Sequence, residues 1–195
     1  LLLAAFVVYP LARLLLMAFT ADGSFTLANL RPFIDSWYDR QAAVNSILLG
    51  CSVGLAGTVL GFIFAYAVTR LSMPKWLKMA VSAVTLLPLI SPPFTSSIAL
   101  TLSLGPNGIL LELLGLGNFN FYGFWGTFIS ETLTFFPVAF MTLSTILARI
   151  DPNLEDAAYS LGASSFKVFR SVTLPLAAPG IANAFLLVFS CSLAD

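Results

Sequence analysis

The stretch PNLEDAAYSLGASSFKVFRSVTLPL, residues 152–176, sets two adjacent acids, two alanines, a glycine and two bases between long hydrophobic runs. Asp151, just before it, is a helix N-cap residue. Pro152 suits the first helical position, where a missing N–H leaves no bond unmade. Glu155 and Asp156 then sit near the positive end of the helix dipole. Leu154, Ala157, Ala158 and Leu161 recur at helical spacing and form one apolar face. The two alanines at its middle admit close approach by another surface. Gly162 follows as a stop of positive φ. A second short helix fits 164–172, with Phe166, Phe169 and Val172 on one side and Lys167 and Arg170 off it. Pro175 is expected to end it. The stretch reads as a helix–turn–helix at a membrane surface. An amphipathic loop resting on headgroups is the competing reading, but such helices are rich in Lys and Arg, and the first helix here is acidic. A docking surface for a soluble partner fits the acids better.

The rest of the chain says which surface this is. Of 195 residues, 58% are hydrophobic and only 9% charged, against about 25% charged in a soluble domain. Mean hydropathy is +0.95. Such a chain belongs in a bilayer. Its formal net charge is zero, so overall charge points to no nucleic acid. There is no histidine, the commonest metal ligand and general base. Cys51 and Cys191 both lie within apolar runs, which argues against a disulfide framework or a zinc site. No catalytic group, metal site or cofactor is expected.

A helix needs about 20 apolar residues to cross the hydrocarbon core. Five candidate spans appear: 1–20, 42–69, 79–104, 121–148, and one beginning near Ala177. The chain opens and closes inside apolar runs, as expected of a fragment of a longer polypeptide. The opening run lacks a charged leader and a cleavage site, so it reads as a span rather than a signal peptide. The runs are too long and too uniformly apolar for barrel strands. The 70–78 and 149–176 connections carry six bases (Arg70, Lys75, Lys78, Arg149, Lys167, Arg170), while 21–41 and 105–120 carry only Arg31 and Arg40. Basic loops stay inside, so 70–78 and 149–176 are expected to be cytoplasmic.

Within the spans, LPLISPPF holds Pro88, Pro92 and Pro93. It reads either as a broken helix lining a pathway or as a packed kink. Charges inside a membrane are functional candidates. Arg13 reads as an end-of-helix residue that snorkels. Glu131 reads as a pathway residue or as a structural partner of Arg13. Asp195, in SLAD, is a second pathway candidate.

One resemblance is specific. Asp156-Ala157-Ala158, three residues, Gly162, nine residues, Val172, one residue and Leu174-Pro175 resemble the EAA signature of binding-protein-dependent ABC importer permeases. That pattern is E-A-A, three residues, G, nine residues, I-x-L-P. Asp156 stands where Glu is usual and Val172 where Ile is usual. The resemblance covers nearly the whole chain. It implies an all-α, polytopic transmembrane helical bundle of the type I importer fold, forming a single permease domain over 1–195. It further implies that 152–176 forms cytoplasmic coupling helices, seated in the ATPase through Glu155, Asp156, Ala157, Ala158, Leu161, Gly162 and Pro175. The implied partners are a cytoplasmic ABC ATPase dimer, an extracytoplasmic solute-binding protein and a second permease half, fused or separate. LPLISPPF, FNFYGFWGTFISETLTFFPVAF, IDPNLEDAAYSLGAS and TLPLAAPGIANAFLLVFSCSLAD resemble the N-terminal half of ferric-iron-type permeases of the inner membrane. Ferric iron is therefore the implied solute, carried along a pathway near Pro92, Pro93, Glu131 and Asp195. Phosphonate, thiamine and polyamine permeases look similar.

Two other classes fit less well. A secondary transporter or channel needs no docking segment. A membrane enzyme needs clustered catalytic side chains, and the acids here are scattered. The chain has no G-x-x-x-x-G-K-[ST] phosphate-binding loop, in keeping with ATP hydrolysis in a separate subunit.

Overall fold

The computed structural model describes residues 4–21, 24–31, 35–90, 93–105, 108–113, 115 and 122–195. Among these the protein is helical apart from one short ladder, and it divides into two compact units, Leu1–Ile47 and Leu48–Asp195.

In the first unit a π-helical turn, Ala4–Val8, runs into helix α1, Tyr9–Phe19. Two-residue strands β1 (Thr20–Ala21) and β2 (Ser24–Phe25) pair antiparallel, Thr20 against Phe25 and Ala21 against Ser24. The pairing stacks the Phe19 and Phe25 rings at 5.9 Å. The Asn29 amide donates to the carbonyls of Met17 (2.9 Å) and Thr20 (3.0 Å). It thereby serves acceptors that a helix end leaves open. Helix α2, Trp37–Arg70, begins in this unit and continues into the next.

The second unit holds α3 (Lys75–Ile90), α4 (Pro93–Leu104), α5 (Ile109–Leu113), α6 (Phe124–Arg149), α7 (Pro152–Ser160), α8 (Ser165–Val168), a π-helical turn (Phe169–Thr173) and α9 (Leu174–Ala194). Its core draws Val53 and Ala65 from α2, Ala139, Phe140, Leu143 and Leu147 from α6, and Ala177, Ala184 and Val188 from α9. Lipid tails are as apolar as leucine, so helices in a membrane associate through close packing rather than burial. Small residues on α2 make that possible. A Cβ at Gly54 would meet Phe185, one at Gly57 would meet Val188, and one at Gly61 would meet Ala139 and the Phe140 backbone.

Among the described residues, three helical stretches are long and apolar enough to cross a membrane: Trp37–Arg70, Phe124–Arg149 and Ser165–Ala194. The first two match expected spans. The third begins about three turns before the expected start near Ala177. The expected span 79–104 is divided between α3 and α4. The 16 residues of α3 rise only about 24 Å. Pro92 lies outside the described residues. Pro93 is the first residue of α4, where a proline leaves no bond unmade.

The expectation that Pro175 ends a short helix is corrected. The chain stays helical from Ser165 to Ala194, and Pro175 sits in the first turn of α9. A proline removes one donor and its ring crowds the carbonyl four residues back. The π turn at Phe169–Thr173 widens the helix just before that point, so it continues. The same arrangement occurs at α1, where the π turn Ala4–Val8 precedes Pro10. In each case the proline stands two residues beyond the π turn.

Candidate functional site

The segment after α6 is built as its sequence reads. The Asp151 carboxylate accepts from the Asn153 N–H at 3.0 Å and caps α7, with Pro152 in the first turn. At the other end Ala163 N–H donates to Ala158 C=O (3.1 Å) and Gly162 N–H to Tyr159 C=O (2.9 Å). This pair of bonds closes a helix around a left-handed residue, and Gly162 takes φ +80°. Ser164 then caps α8, accepting from the Lys167 N–H at 3.4 Å.

The apolar residues of α7 are uncovered. Leu154 is 48% exposed and Leu161 is 89% exposed. Ala157 is exposed and Ala158 half-buried. Pro175 is exposed as well.

The two acids of α7 part company. Asp156 is exposed. Glu155 turns inward: its Oε1 lies 3.2 Å from Arg70 Nε at the end of α2, and Thr173 in the π turn donates to the same oxygen at 2.8 Å. Arg70 Nε–H does not point along that line, so the contact is an ion pair rather than a hydrogen bond. A second guanidinium nitrogen of Arg70 donates to Ile150 C=O at 3.3 Å. The two charged side chains are only 11% and 15% exposed. Beside them the Phe169 ring lies edge-on to Phe62 (6.1 Å) and Tyr66 (5.5 Å) of α2. No local pattern points to this cluster, because its polar members lie up to 103 positions apart, from Arg70 to Thr173.

A second feature lies within the helices. A cavity of about 270 Å³ is lined by Leu100 and Leu104 of α4, by Gly126, Thr127, Ser130 and Glu131 of α6, and by Asp195 beyond α9. Glu131 is 7% exposed and accepts a hydrogen bond from Ser192 on α9. Both acids singled out as pathway candidates thus reach one cavity. Arg13, the alternative partner for Glu131, belongs to the other compact unit. Among the described residues no group of three His, Cys, Asp or Glu is placed to hold a metal ion.

Comparison with known proteins places this architecture. Residues 57–195 match the family model for the binding-protein-dependent transport system inner membrane component. The putative ferric transport system permease protein FbpB 1 of Haemophilus influenzae is 34% identical over 201 residues, an alignment covering all of this chain and 31% of that protein. The molybdenum transport system permease protein ModB of the same species is 32% identical over 160 residues, covering 78% of this chain and 68% of that protein. Among solved structures, a bacterial ABC transporter involved in the import of the acidic polysaccharide alginate superposes with a TM-score of 0.77 at 19% identity. That superposition covers 98% of this chain and 69% of the other. The chain spans about a third of the length of the ferric relative. With the family match running from Gly57 to Asp195 and the ferric relative aligned over all of this chain, this multi-pass membrane chain belongs to the binding-protein-dependent transport system inner membrane components, and its fold is that of an ABC importer permease.

Proposed function

We propose that the chain lines the translocation pathway of an ATP-driven importer in the cytoplasmic (inner) membrane, and that the solute is ferric iron. An extracytoplasmic binding protein delivers the solute, and a second permease half completes the pathway. A cytoplasmic ABC ATPase dimer supplies the energy. It docks on the uncovered face of α7, through Asp156, Ala157, Ala158 and Leu161, with Gly162 and Pro175 shaping the segment. ATP binding closes the ATPase, draws the docked segments together and tips the helices between inward- and outward-open states. This is a population shift driven by contacts that differ between the two states.

The observation that carries the iron reading is the meeting of Glu131 and Asp195 on one cavity. Acidic linings favour cations, whereas pores for anions carry Arg or Lys. The ferric relative supports the same choice. Two carboxyl groups with, among the described residues, no third His, Cys, Asp or Glu beside them suit passage rather than retention, since a transported ion must also leave. A molybdenum permease is among the relatives, so an oxyanion is the reading to test against. Of the alternatives, phosphonate is an anion and fits the acidic lining poorly, whereas thiamine and polyamines are cations that it also suits; the ferric relative favours iron over these.

The test is uptake of radioactive iron and of radioactive molybdate by proteoliposomes holding the complete permease, its ATPase and its binding protein. Iron uptake that falls at least about tenfold in Glu131→Gln, with the ATPase still co-purifying, is the expected result. Molybdate uptake without iron uptake overturns the solute assignment.

A further inference from the structure

We propose that Arg70 is a positioning strut that makes α7 move with the transmembrane helix α2. This rests on the docking reading above. The two acids of α7 then have different tasks: Asp156 faces the partner, and Glu155 faces the membrane helices.

The geometry supplies the argument. Helix α7 has only nine residues and buries none of them. Its own packing therefore gives it little hold on the membrane part. The link is polar instead. Arg70 ends α2, and its guanidinium reaches two points on the docking segment: Glu155 in the first turn of α7, and Ile150 C=O just before its cap. Two contacts on either side of the Asp151 cap fix both the position and the direction of the helix. Thr173 adds a third element by tying the same carboxylate oxygen to the π turn that leads into α9. One acid thus joins α2, α7 and the start of α9. Phe169, wedged against Phe62 and Tyr66, closes the side of the cluster.

Burial raises what the ion pair can transmit. Exposed pairs are screened and contribute little. This one is largely withdrawn from water, and removing one member leaves the other charge without a partner. A push on α7 is then carried to α2 and α9 as a unit. Without the pair, α7, which buries none of its residues, can tilt while the spans stay still.

The test uses the complete transporter with its co-purified ATPase, in a background lacking Cys51 and Cys191. Thr127→Cys on the cavity wall reports opening by its maleimide labelling with and without ATP, so no knowledge of the solute is needed. We expect Arg70→Gln and Glu155→Gln each to bind the ATPase and hydrolyse ATP, yet to lose the ATP-dependent change in labelling about tenfold, a coupling typical of residues in one network. The doubly neutral variant strands no charge but still lacks the pair, so it should stay uncoupled; a return of the labelling change there overturns the strut. Thr173→Val, which removes one hydroxyl, should show a smaller loss at normal membrane levels. Unchanged labelling responses in all of these overturn the strut. Loss of the ATPase from Glu155→Gln overturns it too, since Glu155 would then be a docking group. If no ATPase co-purifies with the unaltered transporter, the docking reading itself falls.

Discussion

Gly61 lies so close to Ala139 that a Cβ at position 61 would fall 2.6 Å from the Ala139 Cβ and 2.7 Å from the Phe140 backbone nitrogen. Backbone cannot swing aside as a side chain can. Gly50 differs, because its added Cβ would meet only the Phe189 ring and Leu193, at 3.2 Å and beyond. Gly61→Ala is therefore expected to destabilise the detergent-solubilised protein by about 1–3 kcal/mol, the usual range for overpacking, and Gly50→Ala by clearly less. Thermal unfolding followed by size-exclusion chromatography checks the order. Equal losses would show that the helices part to admit either methyl.

At Gly162 the constraint is conformational rather than spatial. Nothing lies within 4 Å of where its Cβ would stand, yet φ is +80°. Left-handed backbone costs an ordinary residue about 1–2 kcal/mol, and asparagine less. Gly162→Asn should keep transport close to normal, whereas Gly162→Val should impair it without lowering membrane levels. Equal transport in the two variants would remove the turn from the mechanism.

Ser192 and Glu131 form a buried donor–acceptor pair between α9 and α6. Ser192→Ala leaves the acid without that partner, and an unmet buried polar group costs about 1–3 kcal/mol. Replacing both groups by apolar ones avoids the penalty. Ser192→Ala alone should thus lower thermal stability, and Ser192→Ala with Glu131→Leu should restore much of it. The restored protein should still fail to carry iron. Transport by that double variant would exclude Glu131 from the pathway.

The orientation inferred from basic residues has its own check. Ser36 lies just before α2 and Ser164 between α7 and α8, outside both helices. Single cysteines there, in the background without Cys51 and Cys191, should label differently in spheroplasts. An impermeant maleimide should reach Ser36→Cys and miss Ser164→Cys. The opposite pattern inverts the topology.

Local chemistry in 151–164 was legible because each signal acts within a turn or two. Asp151 caps, Pro152 starts and Gly162 stops, each through bonds to residues no more than five positions away. The inward contacts of Glu155 were not legible, because its side chain answers to Arg70, which sequence distance hides. Pro175 was misjudged for another reason: the penalty of a proline is local, but its relief by a π turn depends on how the flanking helix is packed. The glycines at 50, 54, 57 and 61 were readable. Small residues at spacings of three and four are the mark of a tight membrane interface, and that signal could have picked out the face of α2 that meets α6 and α9. The meeting of Glu131 and Asp195 needed the fold, since periodicity carries no information on which helices are neighbours.

The π turn at Phe169–Thr173 also sets a phase. It holds about one residue more than an α-helical turn would, and each residue of an α-helix advances the side chains by about 100°. Removing one residue there, Ser171 for instance, would let the helix run on as α, with everything beyond it rotated by roughly that angle. Ser192 would then leave Glu131, and Val188 would swing away from Gly57. An event in the surface segment would be felt about four turns deeper as a change of face. Insertions and deletions between 169 and 173 should therefore be among the least tolerated in the chain, even at the exposed positions Arg170 and Ser171.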